Sequence, residues 1–307
     1  MKTDNPFNPY LENDFIGRKE EQSYFRTLLV SLQNPQIVNV FGGIGNGRSA
    51  LIRKFDEIAH SNGVKTIVIR CQKNEDALER AIVETNTTVE ETIKTRDNTI
   101  LFLDDFDRIK GFDRAVERIS QIYETKKAKA CIVVVTKTKI EKIGQSFIEV
   151  RNFDEHDTRE YVQKSMHEQQ LRIGEEFLST IYNDSNGNVR AIKMICGHAF
   201  DVAKESDKVI TKAQYLVYLP SLMNRLDSEW FGELYSQTPD AERAILRIIS
   251  KEDNGIHVSD ISKKLGKPIG QVTVLIARLV KRGQILKIDR GKYRVFCRLY
   301  GRFVLQR

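Results

Sequence analysis

Residues 37–51 of this chain read IVNVFGGIGNGRSAL. An apolar run gives way there to a glycine-rich turn, which ends in a cation and a hydroxyl. Ile37 to Val40 predict a short buried strand, and Ser49 to Ala59 predict a helix that opens directly from the turn. The stretch therefore predicts a strand, a glycine loop and a helix in immediate succession.

The glycine loop has the spacing of phosphate-binding loops, GxxxxGK[ST], except that Arg48 stands where the pattern has lysine. Backbone amides and the positive end of a helix attract a polyphosphate, and glycines keep Cβ atoms out of its cradle. Arg48 would reach the phosphates of ATP or ADP, and Ser49 would bind Mg²⁺. The residues expected to contact the nucleotide here are Gly42, Gly43, Ile44, Gly45, Asn46, Gly47, Arg48, Ser49 and Ala50. Because arginine is a planar fork and lysine a point charge, we expect binding to survive and fast hydrolysis to suffer.

An acidic pair closes a second buried strand, in the run TILFLDD at residues 99–105. Carboxylates at the carboxyl end of a parallel strand lie where open α/β sheets bind ligands. We expect Asp104 to hold Mg²⁺ through water and Asp105 to orient or deprotonate the attacking water. The two aspartates are expected on the strand adjacent to that of the glycine loop.

The remaining periodicities predict a parallel α/β core followed by helices. Strands are expected at Thr66 to Arg70, 130–136 and Phe147 to Val150, and helices at Lys19 to Leu32, Glu75 to Lys94 and Asp113 to Thr125. Three helices follow, at Asp157 to Gln169, Gly174 to Asp184 and Asn188 to Ala203, and a connecting helical segment covers residues 211–237. Asn5 to Tyr10 predicts an extended lead-in, and Trp230 is expected to pack in a core. The predicted domains are 1–153 (α/β), 154–236 (helical lid and connecting helices) and 237–307 (winged helix).

Composition limits the function classes. Apolar residues make up 40% and charged residues 30% of 307 positions, as in soluble globular proteins with two or three packed units. The absence of a long apolar run and of an apolar leader predicts a cytoplasmic protein without a membrane span. Four widely spaced cysteines favour reduced core residues over a disulfide framework or a zinc site.

Basic charge is concentrated at the C-terminal end of the chain. Residues 241–307 hold 16 lysines and arginines against 5 acidic residues, whereas residues 1–240 hold 33 against 37. Such asymmetry favours a polyanionic partner for the C-terminal part, with nucleic acid first, although a solvated basic face gives the same pattern.

The basic part has the periodicity of a winged helix that binds double-stranded DNA. A helix starts at Pro239, a second runs from Val258 to Leu265, and a third follows Pro268 and ends at Gly283. Two alternating runs, ILKID and KYRVF, then predict a two-stranded wing. The expected DNA contacts are Lys267, Gln271, Thr273, Lys281, Arg282, Lys287, Arg290 and Lys292. Ile269, Val274 and Leu275 add apolar surface to the third helix, so docking of a protein partner remains an alternative.

These motifs together resemble the P-loop ATPases of the AAA+ and STAND group, with origin-recognition-type replication initiators as functionally understood relatives. The resemblance rests on FIGRKEE at residues 15–21, the glycine loop, LFLDD, the run GNVR at 187–190 and the terminal winged helix. It implies adenine-side contacts from Ile16, Gly17 and Arg18, a first sensor of the γ-phosphate at Thr136, and a second sensor at Arg190 in the lid. The arginine in the glycine loop and DD in place of DE depart from the family pattern, and no arginine finger can be named.

Three functional hypotheses follow from the sequence. The first is a nucleotide-switched DNA-binding ATPase, in which ATP bridges the α/β core and the lid and sets the orientation of the winged helix. The second is a signalling or scaffold protein with a structurally bound nucleotide, whose winged helix docks a protein partner. Self-association of the chain is also open. The third is a pseudo-ATPase in which Arg48 occludes an empty site.

Overall fold

The computed structural model describes residues 5–7, 15–73, 75–82, 86–143, 146–166, 172–203 and 209–307. The helices are α1 Lys19–Val30, α2 Arg48–Ser61, α3 Val89–Thr95, α4 Phe112–Glu124, α5 Glu155–Met166, α6 Glu175–Ser185, α7 Val189–Val202, α8 Lys212–Leu226, α9 Gly232–Ser236, α10 Asp240–Ser250, α11 Val258–Leu265, α12 Ile269–Lys281 and α13 Arg298–Leu305. The strands are β1 Ile37–Phe41, β2 Lys65–Arg70, β3 Ala81–Ile82, β4 Thr87–Thr88, β5 Thr99–Asp104, β6 Cys131–Thr136, β7 Ser146–Glu149, β8 Arg172–Ile173, β9 Val209–Ile210, β10 Ile256–His257, β11 Ile285–Asp289 and β12 Lys292–Val295. A 3₁₀ turn spans Phe106–Arg108, and a π-helical segment spans Asp227–Phe231.

The described chain forms two compact units. The sheet unit comprises Arg18–Gly42 and Gly47–Arg151. The C-terminal unit comprises Asn152–Arg307, the loop tip Gly43–Asn46 and the described residues before Arg18. The predicted division of the chain into three domains stays a prediction.

The sheet unit contains a five-stranded parallel sheet in the order β2-β5-β6-β1-β7. Helices cover both faces, because alternate side chains of a strand point to opposite sides. Leu101 and Leu103 join the core beneath α3 and α4. Phe102 points the other way, toward Phe25 of α1, which stacks on Phe55 of α2 with ring centroids 4.1 Å apart.

The position of the acidic strand differs from the prediction. Ile132 of β6 pairs with Ile37 of β1 on one side and with Leu101 of β5 on the other. The strand that ends in Asp104 is therefore separated from the glycine-loop strand by β6, and it is not adjacent to it. Both strands still end at the same edge, because the whole sheet is parallel.

The helix predicted from Glu75 to Lys94 is wrong over most of its length. The short antiparallel pair β3 and β4 precedes α3, which begins only at Val89. The carboxylate of Asp76 accepts hydrogen bonds from the backbone amides of Leu78 and Glu79, which closes a turn. Thr88 then caps α3 by accepting from the amide of Glu91.

The C-terminal unit has one continuous core that runs from Phe177 and Ile192 in α6 and α7 to Ile276 and Tyr300 in α12 and α13. Trp230 is buried in this core, as predicted, and its ring lies 5.3 Å from that of Phe296. Four features were not predicted: the parallel pair β8 and β9, the helix α13, the π-helical segment, and β10, which makes the wing a three-stranded sheet.

The N-terminal lead-in is a turn over its described part and is not extended. The side-chain oxygen of Asn5 accepts from the amide of Phe7, while the side-chain nitrogen donates to the carbonyl oxygen of Gly197 in α7. Phe7 is buried against the lid core. Residues 8–10 of the predicted lead-in, and residues 167–169 of the helix predicted to end at Gln169, lie outside the described residues.

All four cysteines are buried free thiols, as the sequence predicts. Within the described residues, none of the helices combines the length and apolar character that a membrane span requires.

Candidate functional site

The glycine loop leaves β1 at Gly42 and enters α2 at Gly47. The amide of Gly42 donates to the carbonyl oxygen of Thr136, and a Cβ added at Gly42 would lie 2.3 Å from the carbonyl oxygen of Val150. Gly47 precedes the first turn of α2 in the left-handed region, with φ 87°. Only glycine fits the first position, and glycine is strongly favoured at the second.

Arg48 is the charged group at the start of α2. Its side chain is only 11% exposed, and its Nη2 lies 3.7 Å from Oδ1 of Asp105. Its Nη1 is buried and has no hydrogen-bond partner among the residues that the structure describes. A buried donor without an acceptor is destabilising, and an anionic oxygen at a helix N-terminus would satisfy it. The residues at this position thus fit a phosphate group.

The acidic pair lies close to this guanidinium. Asp104 is 7% exposed, and its Oδ1 accepts from the amide of Asp105. Asp105 has φ 54°, a left-handed conformation that is uncommon outside glycine, and its Oδ2 accepts from Nη1 of Arg108 at 3.2 Å. Both carboxylate oxygens of Asp105 therefore face arginines. Ser49 is exposed. Its hydroxyl and the Asp104 carboxylate both offer oxygen atoms, which are the type of ligand that Mg²⁺ prefers.

Thr136 does not present its hydroxyl for sensing a phosphate. The residue is 1% exposed, and its hydroxyl donates to the carbonyl oxygen of Thr138 at 2.7 Å. The same oxygen accepts from Nδ2 of Asn39, whose Oδ1 accepts from the amide of Ile140. A hydroxyl that has already donated its proton has none for a ligand, so Thr136 and Asn39 shape the loop after β6.

The predicted adenine-side residues are also used by the fold. The guanidinium of Arg18 donates to Glu21 and to the carbonyl oxygen of Arg151, which ties the start of α1 to the chain after β7. Ile16 packs at the edge of the C-terminal unit's core, and Gly17 has φ 81° beside the ring of Phe153. Arg18 is therefore a structural residue of the sheet unit.

The loop tip, Gly43–Asn46, packs on the first turn of α7 within the C-terminal unit. Nδ2 of Asn188 donates to the carbonyl oxygen of Ile44 at 2.7 Å and to Oδ1 of Asn46 at 3.0 Å. The Oδ1 of Asn188 caps α7 by accepting from the amide of Ala191. The amide of Arg190 donates to the carbonyl oxygen of Gly45. Three hydrogen bonds therefore join the loop tip to the start of α7.

The end of α12 lies against the same loop tip. A Cβ added at Gly283 would lie 2.5 Å from Cγ1 of Ile44, and one added at Gly43 would lie 3.4 Å from Cδ2 of Leu286. Gly283 has φ 76°, so the residue that closes α12 needs glycine both for its backbone and for the approach of Ile44. The start of α7 and the end of α12 therefore both contact Ile44 in this four-residue segment.

Arg190 lies in the first turn of α7, as predicted, and its side chain points to the π-helical segment. The guanidinium carbon is 4.5 Å from the ring centroid of Trp230, and Nη2 donates to the carbonyl oxygen of Glu229. Cation–π stacking of this kind stabilises a particular side-chain direction. In this structure it is the peptide amide of Arg190, together with Asn188, that contacts the glycine loop.

Of the eight predicted DNA contacts, six are exposed, one is half-buried and one has a side chain paired within the protein. Nε of Arg282 donates to Glu242, which is 1% exposed, and Nη1 donates to the carbonyl oxygen of Gln237. Arg282 therefore neutralises a buried carboxylate, and its role as a DNA contact stays a prediction. Lys292 is half-buried on β12, and the exposed candidates are Lys267, Gln271, Thr273, Lys281, Lys287 and Arg290.

A family model described as winged helix-turn-helix DNA-binding matches residues 240–285. Among curated protein sequences, none is significantly similar to this chain. The Walker-type ATPase of Pyrococcus abyssi superposes with a TM-score of 0.70 at 14% identity, over 97% of this chain and 99% of that one. The RuvB Holliday junction branch migration motor of Thermotoga maritima gives 0.53 at 14%, over 94% and 95% of the two chains. The Aeropyrum pernix ORC1 protein in complex with DNA gives 0.52 at 15%, over 98% and 95%.

The chain has the fold of the P-loop AAA+ ATPases. The predicted architecture of parallel sheet, helical lid and C-terminal winged helix is thereby confirmed. At these identities the likeness concerns the fold, and the STAND branch stays a prediction.

Within this AAA+ fold, sequence reasoning missed the residues that hold the loop tip. An asparagine directly before a helix, such as Asn188, is a capping signal, and its side-chain oxygen does cap α7. Its side-chain nitrogen donates instead to the carbonyl oxygen of Ile44 in the loop, which the sequence does not indicate. Ile44 and Gly283 have no sequence signal that links them, because a contact across 239 positions leaves no local pattern.

Proposed function

We propose that this protein binds ATP or ADP with Mg²⁺ at the glycine loop and double-stranded DNA with its winged helix. The observation that carries the proposal is the double contact of the loop tip, with Asn188 on one side and Gly283 at the end of α12 on the other. The tip is continuous in the chain with Gly42 and Gly47, which frame the candidate phosphate site.

The nucleotide side of the proposal rests on the start of α2. The unpaired Nη1 of Arg48 would donate to a phosphate oxygen, and the amides of the first turn would add the positive end of the helix. Ser49 and Asp104 would provide oxygen ligands for the metal ion, whose chemistry is to neutralise phosphate charge. The role of Arg190 as a second sensor that contacts the phosphates stays a prediction.

We further propose that nucleotide turnover is slow. Asp105 is the candidate residue for orienting water, but both of its oxygens already face arginines, Arg48 and Arg108. A carboxylate held in this way must exchange partners before it can position a water molecule. The arginine in place of the usual lysine also changes the geometry with which charge is offered to the phosphates.

The DNA side rests on the winged-helix match and on the charge of the C-terminal part. Lys267, Lys281, Lys287 and Arg290 are exposed around α12 and the wing, where they would contact phosphates and release counterions. We propose that a nucleotide acts on this surface through the loop tip, because Ile44 touches the residue that ends α12.

The test measures DNA binding and nucleotide binding in the same preparation. Fluorescence anisotropy with a labelled duplex between ~50 and 200 mM salt should give an affinity that falls steeply with salt. In the double variant Lys287→Ala with Arg290→Ala, the slope of log affinity against log salt concentration should fall by about two, one for each lost phosphate contact. The Mg-ADP affinity measured by calorimetry should stay unchanged. Absence of DNA retention at ~50 mM salt would remove the DNA half of the proposal.

A second candidate function is favoured by one observation. Ile269 and Val274 are 52% and 54% exposed on α12, and exposed apolar side chains also suit a protein partner. A scaffold of this kind would retain its nucleotide on purification, would show negligible turnover and would not respond to duplex DNA.

A further inference from the structure

The exposed face of α12 is unusual for a helix that enters a DNA groove. Gly270, Thr273, Val274 and Ala277 follow the i, i+3, i+4, i+7 spacing that places residues on one helix face, and all four are exposed. From Ile269 to Ala277 the helix carries no charged residue. Its first two turns therefore present methyl groups and one amide to a partner.

The chemistry of the first two turns favours one kind of base reading over another, and the arginine that follows them, Arg278, lies 4.0 Å from a carboxylate oxygen of Glu242. Guanine is typically recognised in the major groove by arginine or lysine, and neither occurs in the first two turns of α12. Adenine is recognised by the amide of asparagine or glutamine, and Gln271 is exposed there. The hydroxyl of Thr273 donates back to the carbonyl oxygen of Ile269, which leaves its methyl group as the outward chemistry.

Gly270 supplies an independent observation. A Cβ added at this position meets no atom of the described residues within 4 Å, so these residues impose no steric need for glycine here. Glycine in a helix is less stable than alanine, but its lack of a Cβ allows another molecule to approach the backbone closely. The helix surface is therefore flattest at Gly270, one turn before Val274.

The flanks of the face match the two edges of a groove. Lys267 precedes α12, Lys281 ends it, and Lys287 and Arg290 extend along the wing. The apolar strip thus lies between cations. A partner that complements it needs anionic edges and an apolar floor, and the thymine methyl groups in the major groove between two phosphate backbones have this arrangement.

We propose that α12 reads A·T base pairs in double-stranded DNA, with Val274 and the Thr273 methyl group against thymine methyls and Gln271 on adenine. This inference rests on the proposed DNA-binding function and adds the substrate class. Gly270 lets the helix approach the base edges, and the flanking lysines set its register on the phosphates.

The test removes the thymine methyl without changing base pairing. Anisotropy at one fixed salt concentration compares an alternating A·T duplex, the same duplex with deoxyuridine in place of thymidine, and a G·C duplex. The wild type should bind the thymidine duplex more tightly than the deoxyuridine duplex, by on the order of threefold to fivefold for each methyl contact. The G·C duplex should bind more weakly than either.

Two variants in α12 and a control variant in the wing locate the effect. Val274→Ala should reduce the preference for thymidine over deoxyuridine, whereas Lys287→Ala should weaken all duplexes alike and keep the ratio. Gly270→Ala should raise the thermal midpoint and yet weaken binding to the A·T duplex.

Equal affinity for the thymidine and deoxyuridine duplexes, with salt-dependent DNA binding intact, would overturn the inference and leave the proposed function standing. A more stable Gly270→Ala with unchanged DNA affinity would also overturn it. Failure to bind any duplex at ~50 mM salt would overturn the proposed function itself.

Discussion

Nη2 of Arg48 lies 3.7 Å from Oδ1 of Asp105, so the cation of the glycine loop is paired with the candidate water-orienting carboxylate. β6 separates their two strands, and the contact is made because both groups emerge at the same edge of a parallel sheet. Mutation of Arg48 therefore tests nucleotide binding, and mutation of Asp105 tests nucleotide turnover.

Substitution of Arg48 tests whether its unpaired nitrogen serves a phosphate. Arg48→Ala should weaken Mg-ADP binding about tenfold or more, because it removes a charge-assisted hydrogen bond. Arg48→Lys should keep affinity within about threefold, since the charge remains. Calorimetry measures both variants. A gain of more than about tenfold in Arg48→Lys would show instead that the arginine occludes the site.

Asp105→Asn tests the assignment of turnover. The amide keeps the size of the side chain but loses the charge, so any ATP hydrolysis should fall by ~10² or more while nucleotide binding is spared. Arg108→Ala is the matched control, because it releases Oδ2 of Asp105 and should not lower turnover. Equal activity of Asp105→Asn and wild type would assign hydrolysis to another group.

Gly283→Ala tests the contact between the end of α12 and the loop tip. The new Cβ would lie 2.5 Å from Cγ1 of Ile44, in addition to the strain of a left-handed φ. Gly266→Ala is the control, because Gly266 also ends a helix with φ 63° but has no atom within 4 Å of an added Cβ. Each should lose about 1–2 kcal/mol of unfolding free energy from strain, and Gly283→Ala more. Equal losses in chemical denaturation would mean that the Ile44 contact is easily relieved.

Asn188 offers a substitution that separates its two roles. Asn188→Asp keeps an oxygen to cap α7, but it places a carboxylate against the carbonyl oxygen of Ile44 and Oδ1 of Asn46. We expect α7 to persist in circular dichroism while Mg-ADP affinity changes by at least about threefold. Asn188→Thr is the control, because threonine supplies the cap without the repulsion. If Asn188→Thr changes the Mg-ADP affinity as much as Asn188→Asp, the cause is lost packing and not charge.

Burial of the thiols predicts a pH dependence of stability. Burial raises the pKa of Cys71 from 9.0 to about 12, with Glu75 and Asp104 adding to the shift, and burial raises the pKa of Cys297 to about 12. A raised pKa in the folded state stabilises the fold fully below the unfolded value, and that contribution is lost as the pH rises above about 9. Because the thiols are buried and protonated at pH 8, their alkylation at that pH should be slow in the native protein. All four cysteines should react in denaturant. Rapid native labelling of Cys71 would contradict its burial.

The central sheet and the glycine loop were predictable, because strand hydrophobicity and glycine spacing are local properties of the sequence. Arg18, Thr136 and Arg282 received functional predictions for the same local reason. Each also has a partner far away in the chain that no local pattern reveals. Arg18 donates to a carbonyl 133 positions away, Thr136 accepts from Asn39, 97 positions away, and Arg282 donates to a carboxylate 40 positions away. A polar side chain is available to a ligand only where distant parts of the chain leave it unused.

The segment after β2 shows a second limit of prediction from the sequence. The polar run that suggested a helix up to Lys94 contains Asp76 and Thr88, whose side chains bond to nearby amides and favour a turn and a cap over a helix interior. The position of β6 between β1 and β5 depends on the order of strands in the sheet, which hydrophobic patterning does not encode.

The most direct test of the account measures DNA affinity in three nucleotide states, namely no nucleotide, Mg-ADP and a non-hydrolysable Mg-ATP analogue, by anisotropy at several salt concentrations. We predict that affinity differs by at least about threefold between states in the wild type and that Asn188→Asp abolishes the difference. Identical DNA affinity in all three states, in a protein that calorimetry shows to be nucleotide-loaded, would contradict the claim that the loop tip links the two sites.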